Sequence, residues 1–196
     1  HGLGAVPKVI IVKALSGTQH WATYTEMLGN TKGLYLNDTT ASTTETAWWN
    51  STSPTSSVFT VGTSANANGS GKDYIAYCFA EKTGYSKFGS YSANNNANGN
   101  FLYTGFKPAF TIFKKTNAAG SWWMHDNKTS PYNLATNTMT ANTNGAETTG
   151  VGVQDLVSNG IKLRGTTDAT NGSGGTYIYM AFGQSLVGSN NVPCTA

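Results

Sequence analysis

A chain of 196 residues and 20.7 kDa is long enough to bury a core and is compatible with one domain or two small ones. Only 11% of the residues are charged, against roughly 25% in an average soluble domain, so the surface must be hydrated by amides and hydroxyls. The net charge of +3 is scattered along the chain with Arg164 as the only arginine, and no apolar run approaches the roughly 20 residues of a membrane helix, so neither nucleic-acid binding nor membrane insertion is expected.

Strand signals dominate in chain order. "KVIIVKAL", "GLYLN", "SVFTVG", "DYIAYCFA", "NFLYTG", "AFTIFKK", "GIKLR" and "TYIYMAF" are short stretches rich in β-branched and aromatic residues, bounded by Gly, Asn, Ser and Pro. Asn-Gly pairs at 68–69, 98–99, 144–145, 159–160 and 171–172 suit tight turns, because both residues tolerate positive φ. The only weak helix candidates are Thr25 to Gly29 and Gly152 to Ser158. This pattern predicts an all-β fold, an antiparallel β-sandwich of the jelly-roll or lectin-like kind.

The sequence also repeats itself. Pro7, Lys13 and Trp21 recur as Pro108, Lys114 and Trp122 at an offset of 101 residues. The turn "NGSG" at 68–71 recurs at 171–174, and Tyr74, Ile75 and Phe79 recur as Tyr177, Ile178 and Phe182, at an offset of 103. The reading is two tandem copies of a ~100-residue unit, 1–100 and 101–196, forming two sandwiches or the halves of one pseudo-twofold domain. "DYIAYCFA" and "TYIYMAFG" then close each copy. Their nearly continuous apolar character predicts central strands covered on both faces. "GNFLYTG" leads into the second copy and nothing equivalent precedes the first, since the chain opens "HGLGAVPK" without an initiator Met. That opening is expected of a segment of something longer or of a processed product, with the lead-in strand lost or supplied by a neighbouring chain.

Catalytic patterns are weak. The nine acidic residues include no pair marked out for glycosidase work, no Gly-x-Ser-x-Gly elbow occurs, and His1, His20 and His125 show no triad spacing. No cofactor is expected, although loop carboxylates at Asp38, Asp126 or Asp168 leave calcium open. Cys78, replaced by Ala181 in the other copy, reads as a small packing residue, and nothing in the spacing demands a bond to Cys194. "HWATY", "AWWN" and "SWWMHDN" set tryptophan beside hydrogen-bonding side chains, the parts of a glycan site. Strand alternation would turn one ring of each adjacent Trp pair inward. The repeated Trp21 and Trp122 therefore read as framework with Pro7, Tyr74, Ile75, Phe79, Pro108, Tyr177, Ile178 and Phe182. Trp49 and Trp123, with His125 and Asp126, are the surface candidates.

At "HGLGAVPKVIIVK", "YIAYCFAEKTGYSKFGSY", "FLYTGFKPAFTIFKK", "SNGIKLR", "TYIYMAF" and "VPCTA" the chain resembles a domain family of unknown function that recurs in predicted structural proteins of marine tailed phages. The resemblance implies a virion-surface setting and a concanavalin-like sandwich, and brings no catalytic residues. The expectation is a non-enzymatic fibre, tail or head-surface component, partnered by other copies of itself or other virion subunits, with a host-surface polysaccharide as a further candidate partner. The alternatives are a carbohydrate-binding module of a secreted bacterial protein and, behind it, a glycan hydrolase domain.

Overall fold

The computed structural model describes residues 1–184. Nearly all regular structure is β, and the described chain divides into two compact units. The first holds residues 1–81 with 115–122 and 140–144, and the second holds 82–114, 123–139 and 145 onward.

The first unit contains β1 (Val9–Ala14), β2 (Ala22–Thr25), β3 (Lys32–Tyr35), β4 (Thr43–Thr44) and β5 (Tyr74–Phe79), in the sheet order β4-β3-β2-β1-β5. Ile10 faces Tyr24 on one side and Cys78 on the other, and Val12 faces Ala22 and Ala76, so these side chains share one face. Two four-residue helices cover it: α1 (Thr46–Trp49) contributes Trp48 and Trp49, and α2 (Ala65–Asn68) contributes Ala67. Trp48 lies over Gly33, where a Cβ would stand 2.4 Å from the indole ring, so only glycine fits beneath it. The segment "SVFTVG", expected as a strand, has no ladder; its Phe59 and Val61 pack onto the same core. Burying each indole removes roughly 150–250 Å² from water, on the order of 4–6 kcal/mol as an upper bound. Helices this short have almost no intrinsic stability, so tertiary packing holds them in place.

β5 departs from expectation. It pairs with β1 at the end of the sheet among the described residues, and Ile75, Ala76 and Tyr77 are exposed. The doubly covered strand of this unit is β1, where Val9, Ile10, Ile11 and Val12 are all buried. A continuous apolar run thus marks a central strand in "VIIV" and an edge strand in "YIAYCF". Cys78 is half-buried against the helix-covered core, and burial pushes its thiol pKa up. Cys194 lies outside the described residues.

The remaining strands are β6 (Ser86–Ser92), β7 (Phe101–Tyr103), β8 (Pro108–Lys115), β9 (Trp122–Asp126), β10 (Ala135–Thr140), β11 (Thr148–Val157), β12 (Gly160–Leu163) and β13 (Thr176–Gly183); all their residues lie in the second unit except Lys115, Trp122 and Thr140, which belong to the first. Their order is β6-β13-β8-β9-β10-β11-β12-β7. One core joins Leu102, Leu156, Ile161 and Leu163 from one half of the order to Phe113, Tyr179 and Ala181 from the other, so the sheet folds over itself into a sandwich. Here the closing strand is central, β13 lying between β6 and β8 with Tyr177 to Ala181 all buried. β6 pairs along β13 and the lead-in strand β7 pairs with β12, so both strands belong with the second unit. The helix candidates are also replaced. Thr25 to Gly29 ends β2 in a turn, and Gly152 to Ser158 lies largely in β11.

Both units show the run of neighbours β3-β2-β1-β5 or β10-β9-β8-β13. Each closing strand also starts on a tyrosine clip. The Tyr74 hydroxyl donates to the Ala65 carbonyl (2.7 Å) and accepts from Gly69 N–H (2.7 Å). Tyr177 donates to the Asp168 carbonyl (3.0 Å) and accepts from Gly172 N–H (3.1 Å). Likewise Trp21 N–H donates to Asn37 Oδ1 (2.9 Å), and Trp122 N–H to Asn142 Oδ1 (2.8 Å).

Candidate ligand-binding cleft

The four candidate glycan residues lie in different settings, Trp49 in the first unit and Trp123, His125 and Asp126 in the second. Trp49 is 1% exposed, edge-on to Tyr24 at 5.7 Å and to Trp48 at 6.2 Å. Its expected surface position fails because residues 46–49 are helical. Successive side chains there turn by about 100° and not 180°, so both indoles of "AWWN" reach one core. In β9 Trp122 is buried, its indole donating to the Tyr35 carbonyl at 2.8 Å, while Trp123 is half-buried on the strand face it shares with the buried His125.

His125 is 2% exposed, edge-on to Phe113 at 6.1 Å, and neither ring nitrogen has a hydrogen-bond partner among the described residues. Burial drives its pKa from 6.5 down to about 4; the Val151 and Gly152 backbone and the Asp126 charge push the other way without reversing this. The Val151 and Gly152 groups stop short of hydrogen-bond geometry at the ring. A buried neutral imidazole of this kind cannot greet a sugar hydroxyl. Asp126 is committed to a turn, its Oδ1 accepting from the N–H groups of Lys128 (2.7 Å) and Thr129 (2.9 Å).

That turn borders a cleft of about 390 Å³ lined by Lys107, Asn127, Lys128, Ser130, Pro131, Tyr132, Asn133, Leu156 and Gln184. The loop from Asp126 to Leu134 is pinned along its length. Ser130 N–H donates to the Asp126 carbonyl (3.2 Å), and the nearly buried Ser130 Oγ accepts from Asn137 N–H (3.0 Å). The Asn133 amide clamps β11, accepting from Leu156 N–H at 2.9 Å and donating to its carbonyl at 3.3 Å. Between these anchors Tyr132 stands 84% exposed, with Lys107 and Lys128 also exposed. The volume falls within the roughly 300–1,000 Å³ usual for small-molecule sites.

The first unit offers a second aromatic surface. Trp21, expected as framework, is half-buried and stacks on Tyr77 at 6.4 Å and 15°. Ile75 too is 38% exposed, whereas Pro7, Pro108, Trp122, Tyr177 and Ile178 are buried and Tyr74, Phe79 and Phe182 half-buried. Each of the two stacked rings is less exposed than Tyr132, Tyr77 at 43% and Trp21 half-buried.

Asp38, Asp126 and Asp168 sit in separate turns, and among the described residues no three His, Cys, Asp or Glu side chains gather closely enough to hold a metal ion. Lys107, Lys128, Tyr132 and Asn133 escaped the sequence reading. The available signal was Pro131-Tyr132, an aromatic behind a proline in an otherwise polar loop. No curated protein and no solved structure matches the chain. A family model described as "Domain of unknown function (DUF7483)" matches residues 1–185, and the chain belongs to that family.

Proposed function

We propose that this protein is a non-catalytic recognition domain of a virion appendage, built from two copies of one β unit, that holds host-surface glycan in the Lys107–Tyr132 cleft. The observation that carries the reading is Tyr132, an aromatic ring kept 84% exposed at the edge of a polar cleft by a loop anchored at Asp126, Ser130 and Asn133. An exposed ring face stacks on the apolar face of a sugar, while amides and ammonium groups bond its hydroxyls. The shared run of strands and the paired tyrosine clips support duplication. Two carboxylates that a hydrolase could recruit have structural partners: Asp155 pairs with Arg164 at 2.6 Å, and Asp126 holds its turn. Assembly with other copies or virion subunits would use the strand ends of the sheets, where Ile75 and Tyr77 on β5 and Phe101 and Tyr103 on β7 are exposed.

Affinity electrophoresis against a polysaccharide panel tests the site. Wild type is expected to be retarded by at least one polymer, and Tyr132→Ala to weaken that interaction roughly tenfold or more while the fold is retained. Retardation that ignores Tyr132→Ala and disappears with Trp21→Ala would move the site to the first unit. The virion setting is checked by mass spectrometry of purified phage particles, in which peptides of this chain are expected and whose absence would count against it.

A further inference from the structure

We infer that the glycan held in this cleft is anionic, a polysaccharide bearing carboxylate or sulfate groups, recognised jointly by Lys107, Lys128 and Tyr132. The inference rests on the glycan reading above and adds the charge of the ligand. Of the nine residues lining the cleft, two are lysines and none is acidic. The nearest acidic side chain in sequence, Asp126, is turned onto the backbone N–H groups of Lys128 and Thr129. Other lysines have structural work. Lys8 pairs with Glu26, Lys13 donates to the Gln19 carbonyl, Lys72 to Gln19 Oε1 and Lys162 to the Gly99 carbonyl. Neither the Lys107 nor the Lys128 ammonium has a hydrogen-bond or ion-pair partner among the described residues.

Two like charges lining one concavity repel each other, modestly because both are solvated, and an anion between them converts that repulsion into attraction. Each ammonium supplies three donors to a carboxylate or sulfate oxygen, and the Tyr132 ring takes the adjoining sugar face. A neutral glycan could use the ring but would leave both ammoniums without a counter-charge.

Two matched polymer pairs test this: polygalacturonate against its full methyl ester, and dextran sulfate against dextran. Wild-type protein is expected to bind at least one charged member roughly tenfold more tightly than its neutral partner, with the preference shrinking as salt rises. Whichever pair shows the preference identifies the anionic group. Lys107→Gln with Lys128→Gln should abolish the preference. Lys32→Gln with Lys82→Gln, which removes the same charge from exposed lysines outside the cleft, should preserve most of it. Equal loss in both double variants would reduce the effect to net charge and overturn the inference. So would equal, Tyr132-dependent binding of charged and neutral partners, an outcome that leaves the glycan reading intact. No retention on either charged polymer overturns it as well, and Tyr132-dependent binding elsewhere on the panel then shows whether the glycan reading survives.

Discussion

Replacing Asn171 by alanine is expected to cost roughly 3 kcal/mol, whereas Asn68→Ala, the same change at the matching place of the repeated "NGSG" turn, should cost under about 1 kcal/mol. Asn171 is fully buried, and its amide is the hub of a turn cluster. The two hydrogens of its Nδ2 are shared among Asn94 Oδ1 (3.0 Å), the Asn96 carbonyl (3.0 Å) and the Gly165 carbonyl (2.9 Å), while its Oδ1 accepts from Asn94 N–H (3.0 Å). Alanine leaves several of these polar groups without a partner where water has little access. Asn68 is exposed and makes a single bond of this kind, to the Gly62 carbonyl at 2.9 Å, which solvent can replace. In thermal unfolding the midpoint of Asn171→Ala should fall by roughly 10 °C. Equal, small shifts in the two variants would show that the buried network does not stabilise the second unit.

The second large effect is a loss of stability in acid that traces to one ring. His125 is neutral in the folded state, with its pKa depressed to about 4 from 6.5. As pH falls through that interval the unfolded chain binds a proton that the folded chain refuses, so stability declines by up to roughly 3 kcal/mol and nothing is lost above it. His125→Gln lowers stability at neutral pH by removing packing against Phe113, yet its stability should fall much less steeply between pH 6.5 and 4 than that of wild type. Urea unfolding of both proteins across this range measures the difference in slope. Parallel curves would mean that the ring ionises without cost.

Most strands were legible because β-branched runs between Gly and Asn turns have few other ways to satisfy their backbones and bury their side chains. "TYIYMAFG" became the central strand it resembles. "YIAYCF" did not, since edge or centre depends on which neighbours arrive on either side, and that information lies elsewhere in the chain. "AWWN" misled for a related reason: a four-residue helix has no periodicity to read, and it forms because Gly33 leaves room for Trp48. The cleft was least visible. It depends on Asp126, Ser130 and Asn133 folding a loop about Tyr132, and none of these carries a distinctive motif alone.

Chemical-shift mapping of labelled protein during titration with a charged oligosaccharide from the bound polymer tests the ligand site most directly. The expected perturbations concentrate at Lys107, at Asn127 to Asn133, at Leu156 and at Gln184, and spare Trp21, Asn37 and Tyr77. Saturable binding whose perturbations cluster at Trp21 and Tyr77, leaving the loop around Tyr132 unmoved, would contradict it.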